Sequence, residues 1–391
     1  MAMRFFHLSD LHIGKQLHYY NLKEDQEYIL REVVSYAEKL RPDAVVIAGD
    51  IYDKSVPSAD AVAVFDEFLT ALSEVEPSIP VLMIAGNHDS AQRLDYACEI
   101  LKKQSIYIAG NVPQDETKFL KKLTLEDENG MVHFYFLPFL KPGYVRGVFP
   151  EKIPESYQAA VEQMIEREHI DWDARNVLIS HQFYTGSGQE AATCDSESFS
   201  VGGLDRIDSR GIRKFDYAAL GHLHGAQEAG AAHVRYCGTL LKYSVSEWNQ
   251  EKSLHMVTLG KKGDAVQVET FPLHPLRDVR KVRGGLEEIL ESARPENRDD
   301  YISVTLTDEV DPYRPKEQLE RVYTHILEVR MDNTRTRQKL EALDDEAVLS
   351  NPMTVFGEFY VEMQGREMTP EEQKILIQVF EHIGKREENA I

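Results

Sequence analysis

The chain has 391 residues, of which 42% are hydrophobic and 28% charged, and its formal net charge is −22. This composition excludes a disordered or membrane-spanning chain, and the negative charge excludes attraction of nucleic acid by the average field of the protein. The N-terminus turns polar within a few residues and the three cysteines are scattered. We therefore expect a cytoplasmic protein with neither a secretory leader nor a disulfide scaffold.

The first part of the chain alternates short apolar runs with amphipathic stretches. The apolar runs predict strands at 5–8, 44–48, 81–85 and 106–109. The amphipathic stretches predict helices near 24–40, 58–74 and 91–103. This alternation is typical of a mostly parallel sheet that is covered by helices on both faces.

The middle of the chain contains more strands and a long polar loop. A hairpin is predicted around Asn129-Gly130, followed by a helix near 154–168 and a Gly- and Ser-rich loop at 186–203. Further strands are predicted at 177–180, 216–220, 233–237, 254–259 and 266–271. We assign residues 3–275 to one α/β domain.

The pattern changes after the prolines at 272–275. Residues 276–345 predict a separate small α+β domain with helices at 285–293 and 315–326. Residues 346–391 predict two helices, and Thr369 with Glu372 forms a capping box at the start of the second. The first helix carries an aromatic stripe at 356–363, which could pack on its own domain or on a partner.

Polar side chains follow five of the predicted strands at the point where each strand ends. Strand ends in α/β sheets open onto one crevice, so these side chains should meet there. Taken singly, each short motif could equally be a turn with surface polar residues. The side chains are Asp10, His12, Asp50, Asp53, Asn87, His88, His181, His222 and His224.

This set of residues has the chemistry of a site for two metal ions. Imidazole and carboxylate ligands suit Mn, Fe or Zn, and an Asp can bridge ions about 3.5–4 Å apart. Such a pair of ions grips the attacking and leaving oxygens of a displacement at phosphorus. We expect two divalent transition ions per chain, with Mn²⁺ favoured.

The motifs D-x-H, G-D-x-x-D, G-N-H-D, a lone His and G-H-x-H resemble the signature of the calcineurin-like metallophosphoesterases. The resemblance implies a four-layer αββα sandwich in which His88 is catalytic and is oriented by Asp53. It implies that Asp50 bridges the two ions. The ligands that it implies are Asp10, His12, Asp50 and His224 for the first ion and Asp50, Asn87, His181 and His222 for the second.

Longer stretches, "HLSDLHIGK", "AGDIYDKSVPSADAV" and "DYAALGHLHG", look like the SbcD family, the nuclease subunits of bacterial SbcCD complexes. This likeness implies a 3′→5′ double-strand exonuclease and a single-strand or hairpin endonuclease in DNA repair and recombination. It also implies a homodimer, an SMC-like (SbcC-like) ATPase docked on 346–391, and a DNA-capping role for 276–345. Candidate DNA contacts are Lys15, His18, Lys54 and Arg93.

Two alternatives remain open from the residues. One is a nucleotide or small-molecule phosphodiesterase, and the other is a mainly scaffolding subunit of the ATPase complex. All of the ligand positions in the motifs are filled, which disfavours an inactive site. Cleavage of linear duplex DNA in the presence of Mn²⁺ would distinguish these alternatives.

Overall fold

The computed structural model describes residues 2–186, 188, 191–197, 205–337, 352–370, 372–374 and 376–377. Parts of the predicted loop at 186–203 and of the predicted C-terminal helices lie outside the described residues. The chain divides into two compact units. The first comprises Met1–Val282, Ala293–Val304 and Leu319–Glu328, and the second comprises Arg283–Ser292, Thr305–Gln318 and Val329–Ile391.

One six-stranded sheet is formed mainly by the predicted N-terminal strands. Four of its strands are parallel neighbours, and Ser253–Leu259 joins their open edge antiparallel to Met3–Leu8. The parallel strands are buried on both faces, which explains their continuous apolar sequences. Their order is Gln267–Pro272, Ser253–Leu259, Met3–Leu8, Ala44–Ile47, Val81–Ile84, Ile106–Ala109.

A second six-stranded sheet contains the predicted hairpin, whose two strands meet at Gly130 with a left-handed φ of 101°. The strand Gln227–Ala231 was not predicted, because its sequence QEAGA lacks β-branched residues. Its pairing with Val234–Tyr236 shifts register between Glu228 and Ala231. The strand order is Gln227–Ala231, Val234–Tyr236, Tyr217–Gly221, Arg175–His181, Gly130–Leu137, Lys121–Asp127.

The two sheets pack face to face, and helices cover their outer faces. Between the sheets, the Phe5 ring lies 5.4 Å from that of Phe134 and 5.8 Å from that of Tyr217. Separate apolar clusters join each outer sheet face to its helices, for example through Phe65 and Met164. The αββα sandwich expected from the sequence is therefore confirmed.

The main helices begin and end close to the predicted positions, at Lys23–Leu40, Ala59–Ser73 and Tyr157–Glu166. Serine side chains cap two of them, since Ser58 Oγ accepts the Ala61 N–H at 3.2 Å and Ser156 Oγ accepts the Ala159 N–H at 3.1 Å.

The predicted helix at 91–103 is wrong as a single element. It consists of Ala91–Leu94, Cys98–Leu101 and a 3₁₀ turn at Lys102–Gln104. Ala97 interrupts it with a left-handed φ of 58°, and the Asp95 carboxylate instead accepts the Gly110 N–H at 2.8 Å.

The C-terminal strands Val279–Gly284, Tyr301–Leu306 and His325–Met331 form a three-stranded sheet. The helices that follow the first two strands are Leu286–Ser292 and Pro315–Leu319. The second is shorter than predicted, and beyond its end the Arg298 side chain donates to the carbonyls of Arg321 and Val322. The proposed domain boundaries at residues 275 and 345 stay predictions.

The first predicted C-terminal helix spans Pro352–Gln364. The capping box after it is present, because Glu372 Oε2 accepts the Thr369 N–H at 2.8 Å and the Glu372 N–H donates to Thr369 Oγ1 at 3.3 Å. Two pairs of two-residue strands complete the described strands, Gln16–Leu17 with Tyr20–Asn21 and Tyr184–Thr185 with Ile207–Asp208. Within the described part of the chain, no helix has the length and apolar character needed to cross a bilayer.

Two histidines that belong to none of the motifs lie in the core. His7 and His255 are paired across neighbouring strands, and His255 is 1% exposed. His7 is hydrogen-bonded to the Tyr217 hydroxyl and the Leu220 carbonyl, whereas neither ring nitrogen of His255 has a partner among the described residues. Burial, with the nearby positive charge of Arg235, lowers the pKa of His255 from 6.5 to about 4.

We predict that His255→Leu reduces the acid sensitivity of the fold. The unfolded chain protonates this histidine below pH 6.5 but the folded chain does not, so its neutral form supports stability above pH 6.5 and that support is lost as the pH falls towards 4. Removing the unpartnered ring should raise the free energy of unfolding at neutral pH by about 1 kcal/mol. Chemical denaturation from pH 7 to pH 4 measures both effects. The exposed His169→Leu is the control, and equal acid sensitivity of the two variants would contradict the prediction.

Candidate metal centre

The site lies where five strands of the two sheets end. Four of its residues have left-handed backbones without being glycine, with φ of 53° at Asp10, 43° at His12, 50° at Asp50 and 113° at His222. Such conformations cost of order 1–3 kcal/mol each and persist only where the surrounding structure enforces them. Here the Asp10 N–H donates to the Gly49 carbonyl and the His12 N–H to the Asp50 carbonyl, each at 3.0 Å. The strain aims polar side chains out of buried strands into one crevice.

The predicted ligands fall into two groups that share Asp50. In the first group, His12 Nε2 lies 3.1 Å from His224 Nε2. In the second, Asn87 Oδ1 lies 3.0 Å from both His181 Nε2 and His222 Nδ1. Asp50 Oδ2 lies between the groups, 3.7 Å from His12 Nε2 and 3.4 Å from His181 Nε2.

Asp10 completes the cluster from the end of the first strand. Its two carboxylate oxygens accept the His222 N–H at 3.1 and 3.0 Å. An oxygen of Asp10 lies within 4.8 Å of a ring nitrogen of His12 and of His224. An oxygen of Asp10 also lies within 4.8 Å of a carboxylate oxygen of Asp50 and a ring nitrogen of His181. All seven predicted ligands are therefore brought together in the two predicted groups.

Hydrogen bonds to the protein fix which ring nitrogen two of the histidines present to the cluster. His181 Nδ1 donates to the Ala48 carbonyl at 2.8 Å, so Nε2 is the nitrogen that faces the cluster. Ser196 Oγ donates to Glu247 Oε1 at 2.7 Å and so accepts from His224 Nδ1, also at 2.7 Å. His224 Nε2 is then likewise available to a metal ion.

The electrostatics of the cluster favour a bound cation. Burial alone would lower the pKa of His181, but the charge and hydrogen bond of Asp50 outweigh it and raise that pKa to about 9. Burial and the charge of His181 lower the pKa of His222 to about 3. The cluster thus holds a proton on His181 while His222 stays neutral. A divalent cation that binds to the same nitrogen and carboxylate atoms would displace that proton. The donor set therefore fits the two predicted ions.

His88 lies beside the first group and is held by main-chain contacts. Its own N–H donates to Asp50 Oδ1 at 2.8 Å, and its Nδ1 donates to the main-chain oxygen of Asp53 at 2.8 Å. Asp53 therefore contacts His88 through its main-chain oxygen rather than through its carboxylate. That carboxylate instead lies 2.8 Å from Lys15 Nζ and 3.7 Å from His12 Nδ1.

Of the four candidate DNA contacts, Lys15 contacts a residue of the centre, Asp53, at 2.8 Å, and its side chain is 16% exposed. His18, Lys54 and Arg93 are exposed. Their contact with DNA stays a prediction.

Three acidic residues and a serine that support the site were missed from the sequence. Asp89 accepts the main-chain N–H groups of Ile51, Tyr52 and Gly86 at 3.1, 3.0 and 2.9 Å, and burial beside Asp50 raises its pKa to about 7. The last letter of G-N-H-D was the available signal for it. Ser196, Glu197 and Glu247 hold His224 from distant segments and have no local motif.

Comparison with known proteins places the chain in a family. Residues 3–225 match the calcineurin-like phosphoesterases. The chain belongs to this family. It is accordingly a phosphoesterase, and residues 275–364 match a second family, the type 5 capsule protein repressor C-terminal domain.

The curated relatives extend over nearly the whole phosphoesterase chain. A protein from Staphylococcus epidermidis, named as SbcD of the nuclease SbcCD, is 33% identical over 89% of this chain and 92% of its own. A protein of the same name from Staphylococcus saprophyticus is 29% identical over 95% and 96%. The resemblance to SbcD expected from the sequence is thereby confirmed. Among solved structures, TT1561 of Thermus thermophilus is 14% identical, covering 69% of this chain and 99% of that one, with a TM-score of 0.38.

We predict that Asn87→Ala weakens one of two bound ions. The amide oxygen of Asn87 is shared by His181 and His222, so its loss should reduce occupancy of the second group and leave the first group filled. Elemental analysis after loading with Mn²⁺ and dialysis gives the ion-to-protein ratio. Asn129→Ala, in the exposed hairpin turn, is the matched control. An unchanged ratio for Asn87→Ala would remove Asn87 from the ligand set.

Proposed function

We propose that this phosphoesterase is a metal-dependent DNA nuclease subunit that hydrolyses phosphodiester bonds with two divalent transition ions, Mn²⁺ foremost. The observation that carries the proposal is the pair of ligand groups joined by Asp50 with His88 at its edge. The relatives named as parts of a nuclease support a nucleic acid as the substrate, and we propose DNA. The finer activities proposed are 3′→5′ exonuclease on duplex ends and endonuclease on single strands and hairpins.

The ions would be held by the two ligand groups. When bound, they supply Lewis acidity, which activates water and neutralises charge on the phosphoryl oxygens. The imidazole-rich donor set favours a transition ion over Mg²⁺, which prefers oxygen ligands.

His88 supplies the proton that the reaction needs. Water adds to phosphorus, the bond to the leaving oxygen breaks, and that oxygen must gain a proton. Because Nδ1 of His88 is committed to the Asp53 main chain, Nε2 is the atom that can donate it. The left-handed Asp50 backbone and its bond to the His88 N–H keep this ring beside the phosphate.

The charge of the chain indicates that DNA is held with help from other subunits. At −22, the protein as a whole repels DNA, and Lys15 is already paired with Asp53. We propose a homodimer that works with an SMC-like, SbcC-like ATPase in DNA repair, recombination and replication. The complex would act in the cytoplasm, on the nucleoid when bound to DNA.

The described C-terminal helix supports a docking role for residues 346–391. Along Pro352–Gln364, Phe356 is 38%, Phe359 54% and Met363 65% exposed. Apolar side chains on one helix face are the usual contacts of a helix with a partner helix or groove.

We predict that His88→Ala and His88→Gln keep both ions but lose about 10²–10⁴-fold in DNA cleavage, the usual effect of a lost general acid. Cleavage of a nitrophenyl phosphodiester, whose leaving group needs no proton, should fall far less. Gel assays of linear duplex DNA with Mn²⁺ and elemental analysis measure the two effects. An inactive wild-type protein on DNA would favour the small-molecule or scaffolding alternatives.

The matched control is Asp53→Asn. Its main-chain oxygen still holds His88, whereas the changed side chain alters contacts to Lys15 and His12. Asp53→Asn should therefore lower cleavage of both substrates by the same factor. Loss of an ion in His88→Ala would show that His88 is a ligand, and equal losses on both substrates would show that it stabilises charge at phosphorus.

We predict that deleting residues 346–391 abolishes co-purification with the partner ATPase and spares Mn²⁺-dependent nuclease activity. Phe359→Ser is the milder test, because it removes one exposed ring without removing the helix. Pull-down with tagged ATPase and a nuclease assay measure the two properties. Aggregation or loss of nuclease activity would instead indicate that this segment belongs to the core of its own chain.

A further inference from the structure

A cavity of about 470 Å³ adjoins the second group of metal ligands. Its inner wall is made by Asn87, a predicted ligand, and by Phe139, whose ring centroid lies 6.5 Å from that of the ligand His181. Tyr144, 49% exposed, lies at its rim. The volume falls in the range of small-molecule sites, and the wall shared with the metal centre means that an occupant lies next to the reacting phosphate.

The cavity is polar but nearly uncharged. No lysine or arginine occurs among the described residues that line it, and Asp89 is its one carboxylate. That carboxylate is committed to three main-chain N–H groups. A cavity on the Asp53 side of the site differs, since Lys23 and Lys54 line it. Phosphate recognition calls for cations, so the neutral cavity suits a neutral, planar group.

Amide side chains line the same cavity and can form hydrogen bonds with such a group. Gln92, Asn111 and Gln114 contribute to the wall. Asn111 Nδ2 donates to Asp95 Oδ2 at 2.7 Å and Gln114 Nε2 to the Val112 carbonyl at 2.9 Å. Each therefore has one amide hydrogen and its oxygen left for a ligand. Donors and acceptors beside two aromatic rings are what the edge and the face of a nucleobase require.

We propose that this cavity, between Asn87, Phe139 and Tyr144, receives the unstacked nucleobase next to the scissile phosphate. This inference rests on the proposed nuclease function and extends it to substrate selection. A base can enter only after leaving the helical stack, so the cavity favours single strands, frayed ends and hairpin loops. Stacking on Tyr144 then places the phosphate against Asn87 and the ions' ligands.

The test uses dinucleotides, which contain a single phosphodiester bond, with both bases intact or with either nucleotide made abasic. For the wild-type protein, one abasic position should lower kcat/KM by about 5- to 150-fold, the effect of losing one base stacked on an aromatic ring. Tyr144→Ala should lower kcat/KM for the intact dinucleotide to the value that the wild type shows with the slower abasic dinucleotide. It should leave kcat/KM for that abasic dinucleotide unchanged. Tyr144→Phe, which keeps the ring, should behave as wild type.

Tyr96→Ala is the matched control, because Tyr96 is 82% exposed and does not line the cavity. Equilibrium dialysis of the same dinucleotides with His88→Ala, alone and combined with Tyr144→Ala, measures base recognition without turnover. Base discrimination that survives Tyr144→Ala, or equal losses on intact and abasic dinucleotides, would overturn the proposal. So would a wild-type protein indifferent to the base. If the protein binds the intact dinucleotide more tightly than the abasic one but the wild type cleaves neither, the cavity binds a base and the nuclease assignment is rejected.

Discussion

The site depends on the contacts of the Asp50 carboxylate, which joins its two groups of predicted ligands. One oxygen accepts the His88 N–H, and the other lies between His12 and His181. The Asp50 backbone is left-handed, a conformation that persists only where the surrounding structure enforces it. A side chain on Gly86 would collide with the Asp50 carboxylate, and one on Gly221 would collide with the Ala48 carbonyl and the His181 ring. The glycines of G-N-H-D and G-H-x-H are therefore required by close packing around Asp50.

The sequence was informative wherever a local pattern expressed a global constraint. Buried parallel strands need continuous apolar runs, and their polar ends must meet at one sheet edge. The meeting of the side chains from Asp10 to His224 could thus be predicted before their distances were known, whereas their assignment as metal ligands was implied by the family resemblance. The strand Gln227–Ala231 could not be predicted, because it forms by pairing with a neighbouring strand although its own residues have weak strand propensity. The break at Ala97 could not be predicted either, because it depends on a left-handed backbone that the sequence does not show.

The residues that tune the site were hidden for a different reason. Glu247 is fully buried and bonds Lys252 Nζ at 2.7 Å and Ser196 Oγ at 2.7 Å, and Ser196 in turn holds His224. Ser196 lies 51 positions from Glu247 and 28 positions from His224, and no spacing rule links them. The same holds for Asp53, whose main-chain oxygen rather than its side chain meets His88. Sequence motifs identify side chains, but they do not show which atom of a residue makes the contact.

The distribution of charge connects the metal centre to the choice of substrate. A chain of net charge −22 attracts cations and, on average, repels phosphates. Local cations, bound metal ions or a partner would have to offset this repulsion wherever a phosphate approaches. Beside that centre, the cavity at Asn87 and Tyr144 offers rings and amides instead of lysines. Recognition through the base escapes the repulsion that recognition through the backbone would meet, so an acidic nuclease gains most from substrates whose bases are already unstacked.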